Sequence, residues 1–358
     1  MINTTDFSEE EVENIIQMLN RYSKGEATPF DILYLVNYVG IEEIGLEKYV
    51  PKENGMFCDM HNHSSLSDGF LTPIEILYLS KLIGLNRVAI SDHDCIDAYL
   101  DQEFIQTAKD LNIEIIPAVE LVSAYKDVGI EILAYGVNVD KMKKYLDKNG
   151  ITQNILDRYR SVKIPEVFAK QGINLNFDPT TIDFTQKNAH VLKTLFDIVK
   201  NNPNAVNLLN KENPHLLDST NSFLRSGLNN PNSKIFIEPN SIYPQYDKIT
   251  KLIHDLDGIA VLAHPYEYKD QMQRILNGVK NHVDGIECYH PSSLKPEQNQ
   301  FLLNFCKKNN LLVSGGSDSH NLDPTSARGM FNGLKVPAQY FDIIKEVIHE
   351  KQNSKQNI

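Results

Sequence analysis

The chain has 358 residues, 41% of them hydrophobic and 23% charged, an ordinary globular composition whose length fits one large α/β barrel or two medium domains. A formal net charge of −12 excludes a broad positive field that would gather nucleic acid over the whole surface, while leaving room for a local basic pocket. No apolar run is long enough to cross a bilayer and no charged-then-apolar signal segment opens the chain, so a cytoplasmic protein without a membrane partner is expected. The four cysteines, Cys58, Cys95, Cys288 and Cys306, are scattered in or beside apolar runs without zinc-knuckle spacing. They read as reduced core thiols, Cys58 and Cys95 included.

Residues 1–54 stand apart as a helical N-terminal extension. Ser8 and Glu11 make a capping-box pattern, and Val12, Ile15, Ile16 and Leu19 keep helical spacing. A second helix is expected over Asp31–Val39, and Pro51–Gly55 reads as a linker.

From Met56 the pattern is strand, loop, helix, repeated. Strands are expected at Met56–Met60, Arg87–Ser91, Ile113–Val119 and Ile130–Val137, with helices near Pro73–Ile83 and Asp97–Leu111. Residues 141–240 break the alternation with helical, Asn-, Lys- and Pro-containing sequence, read as an inserted helical subdomain. The pattern resumes with strands at Gly258–Ala263, Asp284–Tyr289, Leu311–Gly315 and Gly333–Val336. Helices near Ile242–Leu256, Lys269–Val279, Lys295–Lys308 and Ala338–His349 accompany them. Residues 55–140 and 241–340 would then form the α/β domain, and 341–358 a helix end and a polar tail from Lys351. Nearly continuous apolar strands alternating with helices argue for a parallel sheet covered on both faces or closed on itself.

Acids and histidines gather where these strands stop. The first ends at His61-Asn62-His63, whose imidazoles point the same way on an extended backbone, with Asp68 following in a Ser-Asp-Gly turn. The others end in Ser91-Asp92-His93-Asp94, Glu120, Leu262-Ala263-His264-Pro265, Glu287-Cys288-Tyr289-His290 and Gly316-Ser317-Asp318-Ser319-His320. Six of the eleven histidines fall at strand ends, the face that carries active sites in parallel α/β folds. Any one of them alone reads as a satisfied structural residue; the set reads as a metal site. Imidazole and carboxylate without thiolate suit Mn, Fe, Zn or Mg over copper. The ligands are too many for one ion, and a carboxylate can bridge two.

These motifs, in this order from Met56 to Val336, resemble those of the PHP (polymerase and histidinol phosphatase) family of metal-dependent phosphoesterases, and most of all its stand-alone members with a helical insertion. The resemblance implies a distorted seven-stranded (β/α)7 barrel and two or three divalent ions. It implies that His61, His63, Glu120 and Asp318 hold a first ion. Glu120 bridges to a second, also held by His264, and Asp68, His93 and His320 hold a third. The family commonly places a histidine at the start of the fourth strand, where this chain has Glu131. Glutamate can ligate there, but it adds negative charge and a harder donor, so the second site is expected to favour Mn or Mg, to be weaker, or to be lost.

The implied activity is phosphomonoester hydrolysis by a hydroxide bridging two ions, with Asp92, Asp318 and His290 as candidates for proton handling. Asp92 and Asp94 have an alternative role in orienting ligand histidines. The insertion would set the substrate through Arg160, His190 and Lys193, with Arg328 a further candidate at the mouth. Related enzymes show an Arg-Pro-His-like run where this chain has Asn188-Ala189-His190, so recognition of a second phosphate is in question. The expected partner is a small phosphorylated substrate, a nucleotide such as a 3′,5′-bisphosphate. Short RNA or DNA ends and a second copy of the chain are further candidates. The competing readings are a histidinol-phosphate phosphatase, a non-catalytic metal-binding regulatory protein, and a proofreading module of a separate polymerase.

Overall fold

The structure is a computed structural model that describes residues 56–184, 191–320 and 335–356, with scattered positions between 8 and 34. The apolar positions of the expected first helix, most of the second, the linker and residues 333–334 lie outside them. Of the N-terminal positions described, Met18 and Tyr34 pack against the main core, and Arg21 pairs with Asp31.

Among the described residues the strands are β1 (Phe57–Cys58), β2 (Arg87–Val88), β3 (Glu114–Ile115), β4 (Ala118–Tyr125), β5 (Val128–Tyr135), β6 (Ile259–Leu262), β7 (Gly285–Tyr289), β8 (Leu312–Gly315) and β9 (Val336–Pro337). β4 to β8 form a five-stranded sheet in chain order, β2 pairs with β3, and β1 pairs with β9. Backbone bonds join these pieces. Asp59 bridges Val88, His93 bridges Glu120, and Met60 N donates to Gly315 O at 3.1 Å. Hydrogen bonding therefore runs from β8 back to the segment after β1.

The all-parallel expectation is corrected. β4 and β5 form an antiparallel hairpin and β5 is antiparallel to β6; β6, β7 and β8 are parallel. The hairpin turns at Lys126–Asp127, with Lys126 in the left-handed region at φ 56°. The single strand expected over Ile113–Val119 is two, β3 and β4, separated by Pro117, which has no N–H to donate. Glu120 consequently lies inside β4 rather than at a strand end.

Alternate residues of the strands fall into two apolar clusters. Val88, Ile90, Val119, Leu121, Ile132, Leu262 and Ile286 join the side chains of the covering helices. Met60, Ala89, Ala118, Leu133, Tyr135, Val261 and Ala263 form the other cluster, with Phe341, Ile344 and Ile348 of the C-terminal helix, Gln339–Gln356. Glu120 and Glu131 share the inner parity of Ala118 and Leu133, so both carboxylates continue that face. The polar tail expected from Lys351 is corrected as well, because the helix runs on to Gln356. Lys351 Nζ donates to Gly258 O and Gln352 Nε2 to Gly136 O, anchoring its polar end.

Two helices follow β5, α3 (Val139–Asn149) and α4 (Gln153–Lys170), after the earlier α1 (Pro73–Leu82) and α2 (Gln102–Asp110). Met142 and Leu146 of α3 still belong to the main core. Among the described residues from 164 to 235 a separate apolar cluster forms that includes Phe168, Leu195, Leu209 and Phe223. Among the described residues no helix is long and apolar enough to cross a membrane.

Candidate metal centre

The site begins where β1 gives way to extended backbone. Asp59 ties both edges of it. Its Oδ1 accepts from His61 N and Ser317 N, each at 3.1 Å, and its Oδ2 from Ser317 Oγ at 2.6 Å. The next strand end is tied to His61 and His63 in turn, Asp318 N donating to His61 O at 2.7 Å and His63 N to Ser319 O at 3.0 Å. The packing leaves no room for side chains at two glycines. A Cβ on Gly316 would come within 2.2 Å of His61 N, and one on Gly69 within 2.1 Å of His63 O. His264 and Asp318 hold φ of 28° and 49°, in the left-handed region that a non-glycine residue occupies at a cost of about 1–3 kcal/mol.

These constraints bring the acids and histidines together in three overlapping groups. His61, His63, Glu120 and Asp318 form one; His63, Asp68, His93 and His320 a second; Glu120, Glu131 and His264 a third. Within each, the ligand atoms lie within 4.8 Å of one another. Glu120 is central. Its Oε2 is 3.3 Å from His61 Nε2, 3.3 Å from His63 Nε2 and 3.2 Å from His93 Nδ1, and its Oε1 is 3.0 Å from His264 Nε2.

Partners outside the groups fix the rings. Glu287, fully buried, takes His61 Nδ1 at 2.9 Å and His264 N at 2.6 Å, which turns His61 Nε2 toward the centre. His320 Nδ1 donates to Asp318 O at 2.8 Å, which leaves its Nε2 bare. His290 Nδ1 accepts from Ser292 N at 3.0 Å, so the ring proton sits on Nε2, 3.1 Å from Asp318 Oδ2.

The donor set fits divalent cations. Glu120 Oε2, His63 Nδ1, His93 Nδ1 and His320 Nε2 are buried with no hydrogen-bond partner, and no thiolate is among the donors. The electrostatics show the same shortage of positive charge. Burial disfavours protonated His63 and His264, yet the carboxylates around them push both rings up to about 10. Burial likewise opposes a charged His61, but Glu287, Glu120 and Asp318 hold it well above its ordinary range. In return, against their own burial, Glu120 and Asp68 are held far below the usual carboxylate range by surrounding imidazoles. Burial lowers His93. Asp94 is pushed up to about 7 by burial, with Glu120 and Glu131 adding to it.

A cavity of about 330 Å³ opens over the groups, lined by Glu120, Glu131 and His264 and by Arg160, Lys193 and Arg225 of the stretch between β5 and β6. Arg160 is half-buried and makes no ion pair among the described residues. Lys193 is exposed and paired with Asp197 at 3.0 Å. Asp92 stands behind the groups. Its oxygens accept from Ser64 N, Ser64 Oγ and Ser67 Oγ at 2.7, 2.6 and 2.5 Å, holding the Ser64–Gly69 loop. His190 and Arg328 lie outside the described residues. Sequence reasoning missed the part played by Glu287, although its place in the Glu287-Cys288-Tyr289-His290 strand end marked it. It also missed the burial of Arg225 between Glu131 and Glu267, for which no pattern in the sequence gives a signal.

No protein-family model and no curated protein sequence matches the chain. Its fold is shared with solved structures. One is a candidate metal-dependent phosphoesterase from Bifidobacterium adolescentis, 18% identical, with a TM-score of 0.54 over 83% of this chain and 97% of that one. Another is an amidohydrolase from Chromobacterium violaceum with bound sulfate and no metal, 18% identical, with a TM-score of 0.56 over 81% of this chain and 96% of that one.

Proposed function

We propose that this chain is a PHP-type metal-dependent phosphoesterase that hydrolyses a phosphomonoester, with a nucleotide as substrate class: a 3′,5′-bisphosphate or a short oligonucleotide end. The observation that carries the reading is the set of three overlapping ligand groups at a cavity that is also lined by guanidinium and ammonium groups. The shared fold and the continuous hydrogen bonding from β8 back to β1 support a distorted seven-stranded barrel. The separate apolar cluster supports an inserted helical subdomain.

Bound divalent ions would supply Lewis-acid charge for the phosphoryl oxygens and lower the pKa of water. His61, His63, Glu120 and Asp318 would hold one ion, Asp68, His93 and His320 another, and Glu120, Glu131 and His264 a further one. His290, its Nδ1 engaged by Ser292 N–H, turns Nε2–H toward Asp318 Oδ2 and would orient that carboxylate. Arg160 offers a guanidinium to a phosphate of the substrate. Asp92 acts by holding the loop between His63 and Asp68.

The test pairs metal content by mass spectrometry with Mn-supplemented hydrolysis of nucleoside 3′,5′-bisphosphates, short 5′-phosphorylated RNA and histidinol phosphate. Two or more ions per chain, and phosphate release that disappears in His63→Ala, are expected. One ion or none, with no turnover on any phosphoester, overturns the reading in favour of a binding protein; preference for histidinol phosphate overturns the nucleotide assignment.

A further inference from the structure

The oxygen of Glu131 that faces the metal centre has a second suitor. Oε2 lies 3.2 Å from His264 Nε2 and 2.8 Å from Arg225 Nη2. Arg225 comes from the inserted helices, on a π-helical turn, Phe223–Leu228, whose Phe223 and Leu228 are buried in the second apolar cluster. Its Nε donates to Glu267 Oε2 at 3.1 Å, its guanidinium lies 6.0 Å from the ring centre of Tyr268, and only 8% of its side chain is exposed. The Tyr268 hydroxyl in turn accepts Glu131 N–H at 3.0 Å. Arg225 is thus a fixed cation, and it already occupies the Glu131 oxygen that faces His264 within the Glu120–Glu131–His264 group. The other groups differ: among the described residues the charged partners of Glu120 and Asp68 are imidazoles, which can ligate as neutral rings.

We propose that Arg225 competes with metal for Glu131 Oε2 and makes Glu120–Glu131–His264 the weakest of the three positions. With Arg225 in place the protein holds two ions firmly, and a third only at higher metal concentration. Two cations on one buried carboxylate oxygen repel each other, and a guanidinium cannot escape that repulsion by losing its proton. The inserted helices therefore set the metal count as well as walling the cavity. This rests on the metal-centre reading above.

The experiment is calorimetric Mn²⁺ titration of the metal-stripped full chain, with metal counts after gel filtration and circular dichroism as a check on folding. Wild type should show two tight ions and one weaker. Arg225→Gln should tighten the weak site by about tenfold, the scale on which partners of metal ligands act. Glu267→Gln leaves Glu131 as the remaining carboxylate for Arg225 and should weaken that site further. Three equal sites in wild type, or an unchanged or weaker third site in a folded Arg225→Gln protein, overturn the proposal. If Arg225→Gln fails to fold, Glu267→Gln decides, and a third site that is unchanged or tighter overturns it. Absence of any tight ion in wild type instead sinks the metal-centre reading, and this inference with it.

Discussion

The strands and the helices between β5 and β6 meet at one cavity but are built to different tolerances. On the strand side, Glu120, His61, His63 and Asp318 are almost wholly buried, and each is held by backbone that is itself hydrogen-bonded across strands. On the helix side, Arg160 is half-buried and Lys193 is exposed and paired within its own helix. A donor set of several close ligands needs sub-ångström placement, which packed strands supply. A long cation reaching for a substrate needs only reach. Arg225 is the exception, a helix-side residue buried as deeply as the ligands it touches.

The contrast can be broken most severely at His63, which serves two groups. His63→Ala should remove at least one ion per chain by mass spectrometry and bring phosphate release to background. Glu287→Gln tests whether positioning alone matters, because it keeps every ligand but weakens the brace on His61 Nδ1. Metal affinity should fall by about 10–100-fold, read by titration, with the fold intact. Gly316→Ala probes the tightness of the strand side directly. Its Cβ has no room beside His61, and the melting temperature should fall, with a cost of about 1–3 kcal/mol typical of overpacking.

A pH series sharpens the same point. In the metal-free protein His63 and His264 are raised from 6.5 to about 10, so the folded chain holds protons that the unfolded chain has released. Their stabilisation is complete below about 6.5 and is lost as pH rises through about 10. Chelated protein should therefore melt at falling temperature across that window, whereas metal affinity should rise with pH, because ligand rings bind without their protons. The smallest effects belong to the helix side. Arg160→Ala should raise KM by about tenfold, the worth of one charged hydrogen bond. Lys193→Ala should raise it by less than about fivefold, as suits an exposed ion pair. A Lys193 effect equal to that of Arg160 would erase the distinction.

The candidate ligands were legible because metal chemistry uses a small alphabet: His-x-His, an Asp after a turn, a Glu in an apolar run, even though that Glu proves to lie inside β4. Strand order was less so. Lys126–Asp127 lacks the glycine or asparagine that announces a hairpin, and the Ile113–Val119 run hides a break at Pro117. The C-terminal helix was cut short because its last turns are polar, although their contacts go to backbone carbonyls. Arg225 carries no mark in the sequence that sets it apart from the other cations of residues 141–240. Nothing local in sequence says which arginine will be drawn 94 residues back along the chain to Glu131.

The clamp from Asp59 to Ser317 spans 258 residues. A ribosome delivers those two ends many seconds apart, at about 5–20 residues per second. Until the later end emerges, Asp318 and His320 do not exist and His61 and His63 have only part of their cage. The candidate centre is therefore complete only once this last strand end has left the ribosome.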